Sequence, residues 1–339
     1  MRTLSLRELN RATLARQLLL ERRRLPLISA IERVAGLQGQ WGPAPYVGLW
    51  TRVDGFRRET LERALLRQQV VRAVLMRGTV HLVSARDYGV FGAGVGDPPW
   101  VKPEVAAAAG RLHEEVRAFG AEPRTRNEVL DWLREEQGVD GEAPGLWYAL
   151  RTRGRLTHTG DSGAWKTPRT TTYVALQHEP ADPESSRVEL VRRYLAAFGP
   201  ATRADVAEWS GVRVRDFEPA LEALEPLRRF RDERGRQLLD LPRAPLPSPD
   251  APAPVRFLPR FDNLVLSHAD RTRVLPEAYR STVIYGAGQV EATFLVDGFV
   301  AGVWSVEKGR VRVEPFAPLP RTAKREVEDE AGRLEEWLR

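Results

Sequence analysis

Gln38 and Gln40 stand in the stretch Gly36-Leu37-Gln38-Gly39-Gln40-Trp41-Gly42-Pro43, where an apolar helical pattern runs out into a Gly/Pro turn. An amide takes no proton at neutral pH; it only donates and accepts hydrogen bonds. Two amides can therefore orient a water, but they cannot strongly activate a nucleophile. Such a pair suits a reaction whose leaving group is already good. Residues two apart share a side in an extended segment, and the flanking glycines and Pro43 argue against a continued helix. The competing reading is a pair of amides that caps the preceding helix.

The elements that would position these amides follow the order helix, helix, helix, hairpin, three times over. That order is the order of a winged helix-turn-helix unit, and the predicted class is α+β with three such units in tandem before a C-terminal β-rich domain. In the first unit, Ser5-Leu6-Arg7-Glu8 reads as a capping box, and the helix behind it carries Leu9, Leu14, Leu18 and Leu19. Val70 to Met76 and Thr79 to Val83 flank Arg77-Gly78 as a hairpin, the wing. In the second unit, Thr125 to Glu128 forms another box, a helix follows Pro144, and Arg155 to Thr159 turns into Ala164-Trp165-Lys166. In the third, Thr202 to Asp205 repeats the box with Asp in place of Glu, and a hairpin turns at Arg234-Gly235. The expected boundaries are 1–100, 101–180 and 181–242 for the three units, 243–254 for a Pro-rich linker, and 255–339 for the β-domain and an amphipathic closing helix. Asp297-Gly298 and Lys308-Gly309 mark hairpins in that last domain.

Composition narrows the chemistry. The 339 residues contain no cysteine, which removes disulfides, thiolate zinc and a thiol nucleophile. The five histidines are isolated, so no metal or other cofactor is expected. No Gly-rich phosphate loop with its lysine is present. The N-terminus carries no apolar signal core and no run is long enough to span a bilayer, so a cytoplasmic protein without membrane contact is expected. The net charge is +6 and the sequence pI is about 9.9. Only Lys102, Lys166, Lys308 and Lys324 are lysines, and arginine supplies the rest. A GC-rich genome would produce that bias; a polyanionic partner would use it. Tandem helix-plus-wing units offer a groove-straddling surface, so double-stranded DNA is the expected partner, with protein contacts as the alternative use of a winged helix. Nothing resembles a dimer seam, so a monomer is expected.

Gln38-Gly39-Gln40, Arg77-Gly78-Thr79-Val80-His81-Leu82-Val83, and Leu258-Pro259-Arg260-Phe261-Asp262-Asn263-Leu264 with Asp270-Arg271 together resemble the winged-helix DNA glycosylases typified by AlkZ, in the family's order along the chain. The resemblance implies a C-shaped molecule around duplex DNA. It implies excision of N7-alkylated purines, including bulky adducts and interstrand crosslinks, for DNA repair or toxin self-resistance. It also implies that Gln38 and Gln40 are the catalytic Gln-x-Gln motif. The family usually places an aliphatic residue between the glutamines; Gly39 stands there in this chain and would loosen the loop. A second glutamine, rather than the Asp of a related branch, resembles the crosslink-unhooking branch.

The chemistry agrees with that resemblance. A purine alkylated at N7 leaves as a neutral base, so no general acid is needed, and the sugar passes through an oxocarbenium-like state as in glycoside hydrolysis. The scattered lysines argue against a Schiff-base lyase, so a monofunctional enzyme is expected. Expected DNA contacts are Arg77, Thr79 and His81 on the first wing, Lys166 on the second, and Lys308 and Arg310 on the β-domain tip. His81 reads equally as a satisfied strand histidine. Asp262 reads as a structural carboxylate paired with Arg260 or Arg271, or as a group that helps organise the site. Trp41 and Tyr46 would stack near the abasic position or pack in the core. The alternative function is a non-catalytic DNA-binding regulator.

Overall fold

A computed structural model describes residues 1–98, 100–139, 145–152, 156–166, 168–176 and 181–339, with a mixed α/β fold. Each of the three units holds a three-stranded sheet, but in the second the expected return strand Ala164-Trp165-Lys166 is a bend and the strand that returns is Thr172–Ala175, so Lys166 lies outside the hairpin's strands. In the first, Val80–Ser84 lies between Val70–Val74 and the short strand Leu37–Gln38, all antiparallel. In the second, Thr172–Ala175 lies between Leu156–His158 and Arg124–Thr125; Pro144 and the hairpin start at Arg155 lie outside the described residues. In the third, Arg228–Asp232 pairs with Gln237–Asp240 and, in parallel, with Thr3–Leu4 from the N-terminus.

All three capping boxes close. Ser5, Thr125 and Thr202 each accept from the backbone of the residue three further on, whose carboxylate reaches back. The carboxylate of Asp205, shorter than Glu by a methylene, still takes the Thr202 N–H at 2.8 Å.

The helix Leu6–Arg16 does not pack as a first-unit helix. Its leucines enter three cores. Leu9 meets Phe230 and Leu238, Leu14 joins Leu258 and Leu295, and Leu18, just past its end, reaches the first unit. The polar stripe between them is fully used. Arg16 holds Asp240 with two bonds of 2.7 and 2.9 Å, both side chains buried. Arg7 and Arg11 hold Asp297, and Asn10 donates to Arg273 O and Gly298 O. Gly298 sits at φ +84°, and a Cβ there would stand 2.5 Å from Asn10 Oδ1, so only glycine admits this approach.

The Pro-rich segment is likewise no free linker. Proline lacks a donor but keeps its carbonyl, and the carbonyls of Pro245, Pro249 and Ala251 accept from Arg16, Arg7 and Arg11. The segment is a strap along the N-terminal helix. Beyond it, Arg256–Leu258, Thr293–Val296, Phe299–Glu307 and Arg310–Pro315 form one antiparallel sheet. Its turns at Asp297-Gly298 and Lys308-Gly309 have positive φ at both central residues, as two-residue hairpins require.

The first hairpin is covered on both faces. Val70 and Leu82 enter a core shared with the C-terminal sheet and the helix Arg321–Leu338. Val71, Ala73, Leu75 and Val83 enter a core shared with the third unit. That double burial is why Val70 to Met76 reads as a nearly unbroken apolar run. The second unit keeps a core of its own. Among the described residues no helix is long and apolar enough to cross a membrane.

Candidate active site

Gly36, at φ +82°, turns the chain out of the helix Leu27–Arg33, and the segment that follows is extended. The glutamines therefore do not cap that helix. Gln38 pairs with His81 across the ladder. Its Nε2 lies 3.3 Å from Thr79 Oγ1. Its Oε1 is buried and has no hydrogen-bond partner among the described residues. Gln40 is exposed, and its Oε1 accepts from Val80 N at 3.2 Å. Both amides thus turn to the strand segment Thr79-Val80. Gly39 is held between them: its N–H donates to Val80 O at 2.7 Å and its carbonyl accepts from Arg72 Nε at 2.9 Å.

His81 is completely buried, which corrects the expectation of a phosphate contact. Its Nδ1 lies 3.0 Å from Thr79 O. A carbonyl only accepts, so Nδ1 carries the proton and Nε2 is a bare acceptor, without a partner among the described residues. Burial first, then the Arg77 charge, push its pKa down to about 3 against the Thr79 hydrogen bond. The ring is neutral at physiological pH. Residues directly opposed across an antiparallel ladder have Cβ atoms about 5 Å apart on the same face. Gln38 Oε1 and His81 Nε2 are therefore two unpaired acceptors on neighbouring side chains.

Arg77 also departs from expectation. Instead of standing at a solvated tip, it is partly buried at φ 58° and donates to Trp209 O at 2.6 Å. It lies against Gly211, where a Cβ would come within 3.0 Å of its backbone. Desolvation lowers its pKa to about 10, partly offset by Glu208. The first hairpin tip is docked on the third unit, and this is why neither Arg77 nor His81 faces solvent. Thr79 is partly buried, and its Oγ1 donates to Met76 O at 3.0 Å while facing Gln38. It orients an amide in this structure. Lys166, Lys308 and Arg310 are exposed, with Arg310 Nη1 3.6 Å from Glu335. None of the three is hydrogen-bonded to the glutamines.

Asp262 pairs with neither expected arginine. It takes Arg52 in a buried two-bond pair of 2.9 and 2.7 Å. Arg271 goes to Glu208, and Arg260 lies over the Phe261 ring. Arg52 also donates to Gly48 O, and Gly48 faces Leu37, one residue before Gln38. Tyr46 is fully buried and meets Trp165 edge-on at 5.4 Å, so it packs rather than stacks on a ligand. Trp41 remains 38% exposed beside Gln40. Two groups that shape the site, Arg72 and Arg52, were missed. Arg72 was legible, because an arginine inside Val70-Val71-Arg72-Ala73-Val74 must be buried and bonded.

Comparison with known proteins agrees along most of the chain. Residues 31–337 match the family model described as "DNA glycosylase AlkZ-like". A curated relative from Streptomyces sahachiroi, named "Interstrand DNA cross-link repair glycosylase", is 25% identical over 350 aligned residues, spanning 93% of this chain and 92% of the relative. The solved structure titled "Streptomyces sahachiroi DNA glycosylase AlkZ" shares the fold with a TM-score of 0.81 at 22% identity, over 98% of this chain and 97% of that one. The matched span takes in both glutamines, the hairpin that holds them and the closing helix, and the chain belongs to the AlkZ-like DNA glycosylase family.

Proposed function

We propose that this enzyme is a monofunctional glycosylase that hydrolyses the N-glycosidic bond of N7-alkylated purines, bulky adducts and interstrand crosslinks included. The observation that carries the reading is the pair of unpaired acceptors, Gln38 Oε1 and His81 Nε2, on one face of the first sheet. A water that donates one proton to each would keep its lone pairs free to attack. That arrangement aims a nucleophile without requiring a strong base. Water oxygen bonds to C1′, the glycosidic electron pair leaves with N9, the cationic base departs neutral, and one proton is released to solvent. An imidazole titrating near 3 is a poor proton sink, which fits a step driven by its leaving group. Gln40, exposed at the sheet edge with its Oε1 on Val80 N, keeps a second oxygen lone pair that would face the developing positive charge.

The three sheet-and-helix units are read as winged helices arranged in a C shape around the duplex, with boundaries as given above. Lys166, Lys308 and Arg310 would contact phosphate. The relative's name supports crosslinks as substrates. Bulky adducts are poorly suited to conventional flipping into a tight pocket, and an exposed Gln40 suits an approach at the duplex surface.

The test is release of N7-methylguanine from a labelled duplex, followed by alkaline cleavage at the abasic site. Removing one preorganised polar group typically costs 10²–10³ in rate, so Gln38→Ala is expected to slow release by about that factor with DNA affinity retained. Release that is indifferent to both glutamines would overturn the mechanism. DNA binding with no release from either monoadducts or crosslinks would overturn the activity.

A further inference from the structure

The Gln38-Gly39-Gln40 loop runs past the end of its ladder. Leu37 and Gln38 pair with Leu82 and His81, and Gly39 adds one bond to Val80 O. Glycine has the widest backbone freedom of any residue, so the peptide joining Gly39 to Gln40 needs another restraint. Arg72 supplies it. Its Nε donates to Gly39 O at 2.9 Å, its Nη1 donates to Ser162 O at 2.9 Å, and its own carbonyl accepts from His158 Nδ1 at 2.9 Å. The side chain is buried. A Cβ built on Gly39 would meet Arg72 Cγ and Nε at 3.5 Å and Val80 Cγ1 at 3.4 Å, ordinary contact distances. Arg72 thus lies on the face of Gly39 from which a side chain would project.

We propose that Arg72 is a positioning residue for excision: it fixes the peptide between the two glutamines and ties that loop to the second unit through Ser162. Its effect on rate rests on the glycosylase reading; its effect on the loop does not. Arg72 touches no reacting atom and acts through Gln40. Misplacing a catalytic group by about 1 Å costs on the order of 100-fold.

Arg72→Gln and Arg72→Lys are to be made alone and with Gly39→Ala, whose methyl fits at those contact distances. Four readouts are needed: thermal melting, single-turnover base release, duplex affinity, and hydrogen exchange over residues 37–42. Folded Arg72→Gln is expected to lose about 10- to 100-fold in rate, to lose at least tenfold less in affinity, and to exchange faster in that segment. Arg72→Lys, with a point charge and no fork, should fall between. Gly39→Ala should restore several-fold of the lost rate by stiffening the loop. Unchanged exchange in a folded Arg72 variant would overturn the proposal. So would a rate loss that tracks the affinity loss and ignores Gly39→Ala. If Arg72→Gln does not fold, the Lys variant decides by the same criteria. If the wild type releases no base at all, the glycosylase reading falls and the exchange measurement still decides the role of Arg72.

Discussion

Replacing Asp262 separates support of the site from participation in it. Asp262 and Arg52 are each 1% exposed in their side chains and share two hydrogen bonds. Asp262 Oδ1 also accepts from Leu264 N at 2.9 Å, capping the short helix Asn263–Leu266. Asp262→Ala would leave the Arg52 cation buried with only Gly48 O among its strong acceptors. Removing one partner of a buried ion pair costs about 3–5 kcal/mol, and losing an N-cap costs about 1 kcal/mol. For 339 residues the unfolding entropy is about 0.7 kcal/mol per degree. The melting temperature should therefore fall by about 6–9 °C. Replacing both members, Arg52→Met with Asp262→Leu, removes the orphaned charge as well, and buried pairs exchanged for apolar residues often come out neutral. That double variant should melt within about 2 °C of the wild type. Melting curves paired with single-turnover excision at 20 °C provide the assay, with excision by folded Asp262→Ala expected within about threefold of wild type. An Asp262→Ala protein that melts like the wild type but no longer excises would refute the reasoning, because the carboxylate would then act on the reaction.

Two further outcomes are expected. His81, His158 and His268 are all driven down to about 3, in each case chiefly by burial, whereas an unfolded chain titrates them near 6.5. Between those values the unfolded state binds more protons, so this stability is complete above about pH 6.5 and drains as pH falls toward 3. Asp87, raised to about 6 by its burial against the pull of Arg193, works in the opposite direction over part of that range. Three histidines outweigh it, and melting temperatures should drop steadily below pH 6.5; a profile flat to pH 4 would contradict the burial. In DNA binding, Lys308→Ala with Arg310→Ala should reduce the slope of log affinity against log salt by about 2, roughly one per lost phosphate contact. An unchanged slope would remove the β-domain tip from the interface.

Local chemistry was legible in the sequence, and long-range partnership was not. The three capping boxes, the hairpins at Arg77-Gly78 and Arg234-Gly235, and the turns at Asp297-Gly298 and Lys308-Gly309 all follow from residues a few positions apart. That the glutamine segment does not continue the helix follows from Gly36, Gly39 and Pro43. Alternation along Val80-His81-Leu82 predicts that His81 faces away from its neighbours, and Leu82 does enter the core on the opposite face. The alternation carries no information on whether that face meets water or protein, and here His81 is completely buried. The stripe Arg7, Asn10, Arg11 and Arg16 reads as a solvated helix face because its partners, Asp240, Asp297 and the strap carbonyls, lie more than 200 residues away. Asp262 shows the same limit: Arg260 and Arg271 are near in sequence, and the actual partner, Arg52, lies 210 residues away.

The placement of the glutamines follows from how completely the rest of their sheet is used. In the order Leu37–Gln38, Val80–Ser84, Val70–Val74, both faces of the central hairpin are buried in separate cores and its tip is docked on the third unit. The edge beyond Gln38 is where this sheet keeps polar groups to offer, and Gln40 already occupies one by taking the Val80 N–H. A loop at such an edge would ordinarily be mobile, yet here three bonds from one hairpin hold it. On the proposed reading that rigidity matters more than acid–base strength. His81 is the titratable side chain opposite Gln38, and it is held neutral far below pH 7, so the hairpin offers no group to protonate a departing neutral purine. An unmodified guanine would have to leave as an anion, whereas an N7-alkylated one leaves neutral. Discrimination against intact DNA then lies in the leaving group itself, and the protein needs only to hold a water still beside C1′.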